Sequence, residues 1–142
     1  MKPFLRGILL FGIVAFSVAA VYPCTCEIWR PQKKLRKARV VFIGELIETG
    51  TNDKDNSETV SIKFKVDRYW KGIKEPYSTV VSAPEVCCTC GLPINIGAKY
   101  LIYAFAMDNG QLETSTCMSA RLDAERSQDE LRILGKAKFL SH

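Results

Sequence analysis

The stretch Glu58–Tyr69, ETVSIKFKVDRY, decides the fold. Val60, Ile62, Phe64 and Val66 point one way; Ser61, Lys63, Lys65 and Asp67 point the other. Strict alternation of this kind marks a strand buried on one face. Before it, the polar run Gly50–Ser57 (GTNDKDNS) reads as a loop. Earlier still, Arg39–Thr49 (RVVFIGELIET) is rich in β-branched residues and reads as a strand. Downstream, Trp70-Lys71-Gly72 ends the alternating segment, and Thr79–Ser82 is a short strand. Lys99–Met107 (KYLIYAFAM) is a third long strand, so uniformly apolar that it belongs at the centre. Asp108-Asn109-Gly110 is a hairpin turn, because Asn and Gly tolerate positive φ, and Gln111–Cys117 is the returning strand. Asp123–Leu134 reads as an amphipathic helix with Leu131 and Leu134 inward among surface charges that include Glu130.

Five strands and a terminal helix predict an all-β protein: a five-stranded OB-fold barrel, closed or partly open, with a C-terminal flanking helix. Closure also removes the unpaired edges that an open five-stranded sheet carries.

The beginning of the chain has a different character. Lys2 and Arg6 precede an uncharged run, residues 7–23, with small residues at Val18-Ala19-Ala20. This is the pattern of a secretory leader over residues 1–20, with cleavage at 23 as the longer alternative; the run is short for a membrane span. The expectation is a secreted, extracellular domain over residues 24–142, with no membrane attachment after the leader is removed. The formal net charge is +5, of which Lys2 and Arg6 leave with the leader. A mildly basic balance does not by itself imply nucleic acid.

All six cysteines follow the leader: Cys24, Cys26, Cys87, Cys88, Cys90 and Cys117. An even count in a small exported domain reads as a disulfide framework. Structural zinc is the competing reading, but the single histidine is His142 and export favours oxidation. No cofactor of its own is expected.

Several elements now combine in order. Cys24-Thr25-Cys26 is followed by Pro31-Gln32 and by Ala38-Arg39-Val40-Val41-Phe42-Ile43-Gly44. Then come Trp70-Lys71-Gly72, Cys90-Gly91, Gly97-x-x-Tyr100-Leu101-Ile102-Tyr103-Ala104 and Leu112-x-Thr114-x-x-Cys117. The ordered set resembles the amino-terminal, netrin-like domain of the tissue inhibitors of metalloproteinases, in its single-domain form. The resemblance implies an OB barrel. It also implies pairing of Cys24 with Cys90 and of Cys26 with Cys117. Vertebrate members carry a further cysteine where this chain has Arg36, so that bridge cannot exist here. Cys87 and Cys88 are left over: a vicinal bridge, free thiols and competition for Cys24 all stay open.

The resemblance further implies a mechanism. The α-amine and carbonyl of the first cysteine grip the catalytic zinc of a metalloendopeptidase and displace its nucleophilic water. That role falls on the backbone of Cys24, with Thr25 as the pocket residue and Ala83, Pro84, Glu85 and Val86 as a second contact ridge. The metal is the target's, not this chain's. Cleavage after Ala20 would leave Val21-Tyr22-Pro23 ahead of Cys24. The Cys24 nitrogen would then be an amide, its lone pair delocalised, and a poor zinc ligand.

Arg30, Lys33, Lys34, Arg36, Lys37 and Arg39 form a basic stretch. It reads as a solvated basic face. Its functional alternative is a non-inhibitory netrin-like module that engages sulfated polysaccharide or a protein partner. Trp29 and Trp70 read as packing residues. An enzyme is not expected. One terminal histidine builds no Ser-His-Asp or Cys-His pair, and there is no phosphate-cradling glycine motif. Thiol exchange at Cys87-Cys88-x-Cys90 is the nearest approach to redox chemistry.

Overall fold

The computed structural model describes residues 24–52, 58–85 and 89–140. The expected leader, and Val86, Cys87 and Cys88, lie outside the described residues. The elements run α1 (Pro31–Lys37), β1 (Val40–Asn52), β2 (Thr59–Lys71), β3 (Tyr77–Ser82), β4 (Lys99–Ala106), β5 (Leu112–Glu113), β6 (Ala120–Arg121) and α2 (Glu125–Leu134).

β1 pairs antiparallel with β2 along its length and with β4 over its first half; Gly44, for example, faces Val66 on one side and Tyr100 on the other. Such double pairing needs a strongly bent strand. Three irregularities in the β1–β2 register supply the bend. Gly44 sits at one of them because a Cβ there would lie 2.9 Å from the Lys65 carbonyl oxygen. β2 pairs with β3, β3 runs parallel to β5 through Val81 and Glu113, and β5 pairs with β4. The order β1-β2-β3-β5-β4 closes through the β4–β1 pairing. The protein is therefore a closed five-stranded barrel of OB type with a C-terminal helix, as its strand pattern predicts; β6 is a short addition on β4.

Inside the barrel, Phe42, Leu46, Ile62, Phe64, Val80, Leu92, Tyr100 and Ile102 are wholly buried. Phe64 meets Phe42 and Tyr100 edge-on, with ring centroids 5.7 and 5.8 Å apart. Burying a side chain of this size stabilises by roughly 1.5–3 kcal/mol. A second cluster lies outside the barrel: Ala38, Val41, Ile43, Leu101 and Tyr103, covered by Leu35, Met118, Leu122, Leu131 and Leu134. β1 and β4 thus bury both faces, which is why their sequences are so continuously apolar.

Three details depart from the sequence reading. The segment read only as a basic stretch folds as α1, with Pro31 in its first turn and Lys34, Arg36 and Lys37 in its last. The returning strand is only Leu112–Glu113. Beyond it the chain turns, with the Met118 and Ser119 N–H groups donating to the Ser115 carbonyl at 3.1 and 2.9 Å, and this turn delivers Cys117 to the front of the molecule. The last helix begins at Glu125 rather than Asp123.

Candidate functional site

The front segment has no regular structure of its own from Cys24 to Arg30, so something else must hold it. Two disulfides do. Cys24 is bonded to Cys90 and Cys26 to Cys117, with Cα–Cα distances of 5.5 and 5.2 Å. This is the pairing the family resemblance implies. The bridges close separations of 66 and 91 residues. In the chain-entropy model each such bridge stabilises by about 4–5 kcal/mol. They lie side by side: the Cys24 Sγ is 3.8 Å from the Cys117 Sγ. The Thr116 N–H donates to the Cys90 carbonyl at 2.9 Å, tying the two anchoring loops together. Thr25, between the bridged cysteines, is exposed.

The second predicted contact segment, Ala83–Glu85, follows β3 directly. Its position depends on Gly91. A Cβ on that residue would lie 2.4 Å from the Pro84 carbonyl oxygen and 2.5 Å from that of Ala83. The chain after Cys90 therefore runs hard against residues 83–84. The Thr89 hydroxyl donates to the Pro84 carbonyl at 2.5 Å, and Glu85 accepts the Ile94 N–H at 3.1 Å. Through the Cys24–Cys90 bridge, the front segment and this ridge share one anchor. Val86 lies outside the described residues.

Beneath the front segment is an ion pair that contradicts part of the sequence reading. The sequence places Lys34 on a basic surface and Glu130 among the surface charges of the last helix. Both are buried: their side chains are 3% and 9% exposed, and their charged atoms are 2.6 Å apart. Lys34 also donates to the Met118 carbonyl at 3.2 Å, and its ammonium lies 5.1 Å from the Tyr103 ring centre. The reason is geometric. α1 packs on α2, and Lys34 is on the side of α1 that faces it. Arg126 completes the cluster, donating to the Thr116 and Ser119 carbonyls at 2.9 and 2.7 Å, with its Nε 4.0 Å from Glu130. Burial, with the Glu130 charge second, pushes the Tyr103 phenol far above the usual tyrosine range.

The rest of the basic stretch is divided. Arg30, Arg36, Lys37 and Arg39 are exposed. Lys33 is half-buried, 3.3 Å from Glu27 and 4.1 Å from the centre of the Trp29 ring. Trp29 packs edge-on against Phe105 at 5.9 Å, and the Trp70 indole donates to the Gly135 carbonyl at 3.1 Å. Between the front segment and α2 runs a cleft of about 540 Å³, lined in part by Ile28, Pro31, Arg126, Asp129 and Ile133. Ile28 is 96% exposed. Sequence reasoning missed Ile28, Arg126 and the Lys34–Glu130 pair. The available signal was Pro31 followed by strong helix formers, which marks a helix start.

Among the described residues, the Sγ atoms of Cys24, Cys26 and Cys117 are a group with the spacing to hold a metal, lying within 4.8 Å of one another. As disulfides they have no thiolate to offer. No protein-family profile and no characterised protein sequence matches this chain. The functional reading therefore rests on the ordered motifs and on the geometry just described.

Proposed function

We propose that this chain is a secreted inhibitor-like protein directed at zinc metalloendopeptidases, with Cys24-Thr25-Cys26 as the wedge. The observation that supports this reading is the double clamp: two adjacent bridges fix Cys24 and Cys26 and leave Thr25 exposed between them. In this reading the α-amine and carbonyl of Cys24 take the place of the water on the target's zinc. A free α-amine with a pKa near ~8 supplies a neutral lone pair; a peptide nitrogen does not. Thr25, short and uncharged, enters the specificity pocket without burying a charge. Ala83, Pro84 and Glu85 form the second ridge. A front ordered in advance avoids an entropy cost of about 0.5–1.5 kcal/mol per immobilised side chain.

The test compares two forms of the chain, one starting at Cys24 and one at Val21, against a panel of zinc endopeptidases. Inhibition by the Cys24 form alone, lost on acetylation of its α-amine, supports the mechanism. No inhibition by a correctly bridged Cys24 form removes it. Mass spectrometry of the exported protein's amino end then decides which form exists.

A second reading is favoured by one observation: Arg30, Arg36, Lys37 and Arg39 are exposed on and beside α1. A non-inhibitory netrin-like module would use them to engage sulfated polysaccharide. Retention on heparin that falls with salt, and falls further in Arg36→Ser/Lys37→Ser, supports it; elution at low salt removes it.

A further inference from the structure

We propose that Cys24, Cys26, Cys90 and Cys117 form a four-thiolate metal site when both bridges are open, suited to a zinc-type divalent ion. The proposal is independent of the inhibitor reading. It starts from two bridges that are in contact rather than merely near. The Cys24 and Cys117 sulfurs belong to different bridges, yet they are 3.8 Å apart. Together with the Cys26 sulfur they fall within 4.8 Å of one another. Cys90 lies outside that group of three, but its bond to Cys24 holds it beside them as the fourth sulfur.

A tetrahedral zinc ion, with Zn–S bonds of about 2.3 Å, holds its sulfurs ~3.8 Å apart. The gap between the two bridges therefore already equals one edge of that tetrahedron. Sulfurs within an ordinary disulfide, ~2 Å apart, need to separate by a further ~1.8 Å to supply two more edges. Side-chain rotation supplies this, because the paired Cα atoms are 5.5 and 5.2 Å apart. The ligands come from three distant parts of the chain. It is the barrel's topology, rather than a local motif, that brings them together.

The surroundings suit the charge. A zinc ion with four thiolates carries net charge −2. The turn that presents Cys117 is held by two cations, Arg126 on the Thr116 and Ser119 carbonyls and Lys34 on the Met118 carbonyl. Glu130, paired with Lys34, offsets part of that. The chemistry balances. Each bridge takes two electrons and two protons from a thiol reductant, two thiols becoming one disulfide. The ion then displaces four thiol protons. A disulfide oxidant reverses the sequence and releases the ion. The front segment would thus stay stapled in both redox states, by bridges in one and by the ion in the other.

The experiment uses the chain from residue 21 onward with Cys87→Ser and Cys88→Ser, so that only the four cysteines remain. It is reduced anaerobically with a phosphine and titrated with Co²⁺. The expected result is saturation at one equivalent, with thiolate-to-cobalt charge transfer and the intense visible bands of tetrahedral cobalt. Zn²⁺ displaces the cobalt, and the oxidised protein shows no such spectrum. A further Cys117→Ser change abolishes the four-sulfur spectrum. A weak octahedral spectrum from the reduced protein overturns the proposal, as does a spectrum indifferent to Cys117→Ser. Unfolding on reduction does not rescue a negative result, because thiolate zinc sites assemble from unfolded chains and drive their folding.

Discussion

At position 91 the fold admits a hydrogen and nothing larger. The two obstacles are backbone oxygens, 2.4 and 2.5 Å from where a Cβ would sit, and neither can swing aside as a side chain would. Gly91→Ala should destabilise the protein by about 1–3 kcal/mol, the usual cost of overpacking, read from the urea midpoint. It should also disturb the Ala83–Glu85 ridge without touching either disulfide. Tyr103 makes a different prediction. Its folded pKa is raised by burial and by Glu130, so its neutral form is favoured in the folded state. That contribution is complete below the ordinary phenol value near ~10 and is lost as pH rises beyond it, because the unfolded chain releases the proton first. Denaturant melts at increasing alkalinity should show stability falling above that point. The fall should be shallower in Tyr103→Phe. The Cys90-Gly91 dipeptide was legible as a motif, but the reason for its glycine was not: the oxygens that exclude a side chain come from residues 83 and 84, across a loop.

The two helices share the buried Lys34–Glu130 ion pair. Removing one partner leaves the other charge in a site that water does not reach. Lys34→Met should therefore cost about 3–5 kcal/mol in urea unfolding, and Lys34→Met/Glu130→Leu markedly less. Arg126, 4.0 Å from Glu130, sets the single variant toward the lower end. A result in which the double variant is the worse of the two would show that the pair acts through something other than its charge. Elements differ in how plainly the sequence announces them. β2 alternates because one face is buried and the other meets water, so its reading was direct. β4 was read from its length of apolar residues, and its burial on both faces explains that. α1 has only two turns, too few for an apolar period to emerge, and five of its seven residues are Lys, Arg or Gln. The expected strand through Cys117 failed because tethering to Cys26 bends the chain away after Glu113.

On the scale of the molecule, β1 and β4 form the wall shared by the barrel interior and the helix-covered cluster. Their paired amides, Val41–Ile43 against Leu101–Tyr103, should exchange slowest with deuterated water, and those at the single Val81–Glu113 register pair much faster. Equal protection at both places would contradict this. The barrel was legible because its strands are long and regular. The candidate site was legible only as an ordered set of motifs, since its parts meet across separations of 66 and 91 residues. Those separations also impose a timetable on the chain as it is made. Cys24 and Cys26 leave the ribosome first, and their partners come last. At roughly 5–20 residues per second, Cys24 waits about 3–13 s for Cys90, and Cys87 and Cys88 arrive just before it. The earliest available partners are thus the wrong ones. The efficiency with which this protein matures should depend on an isomerase that undoes first encounters.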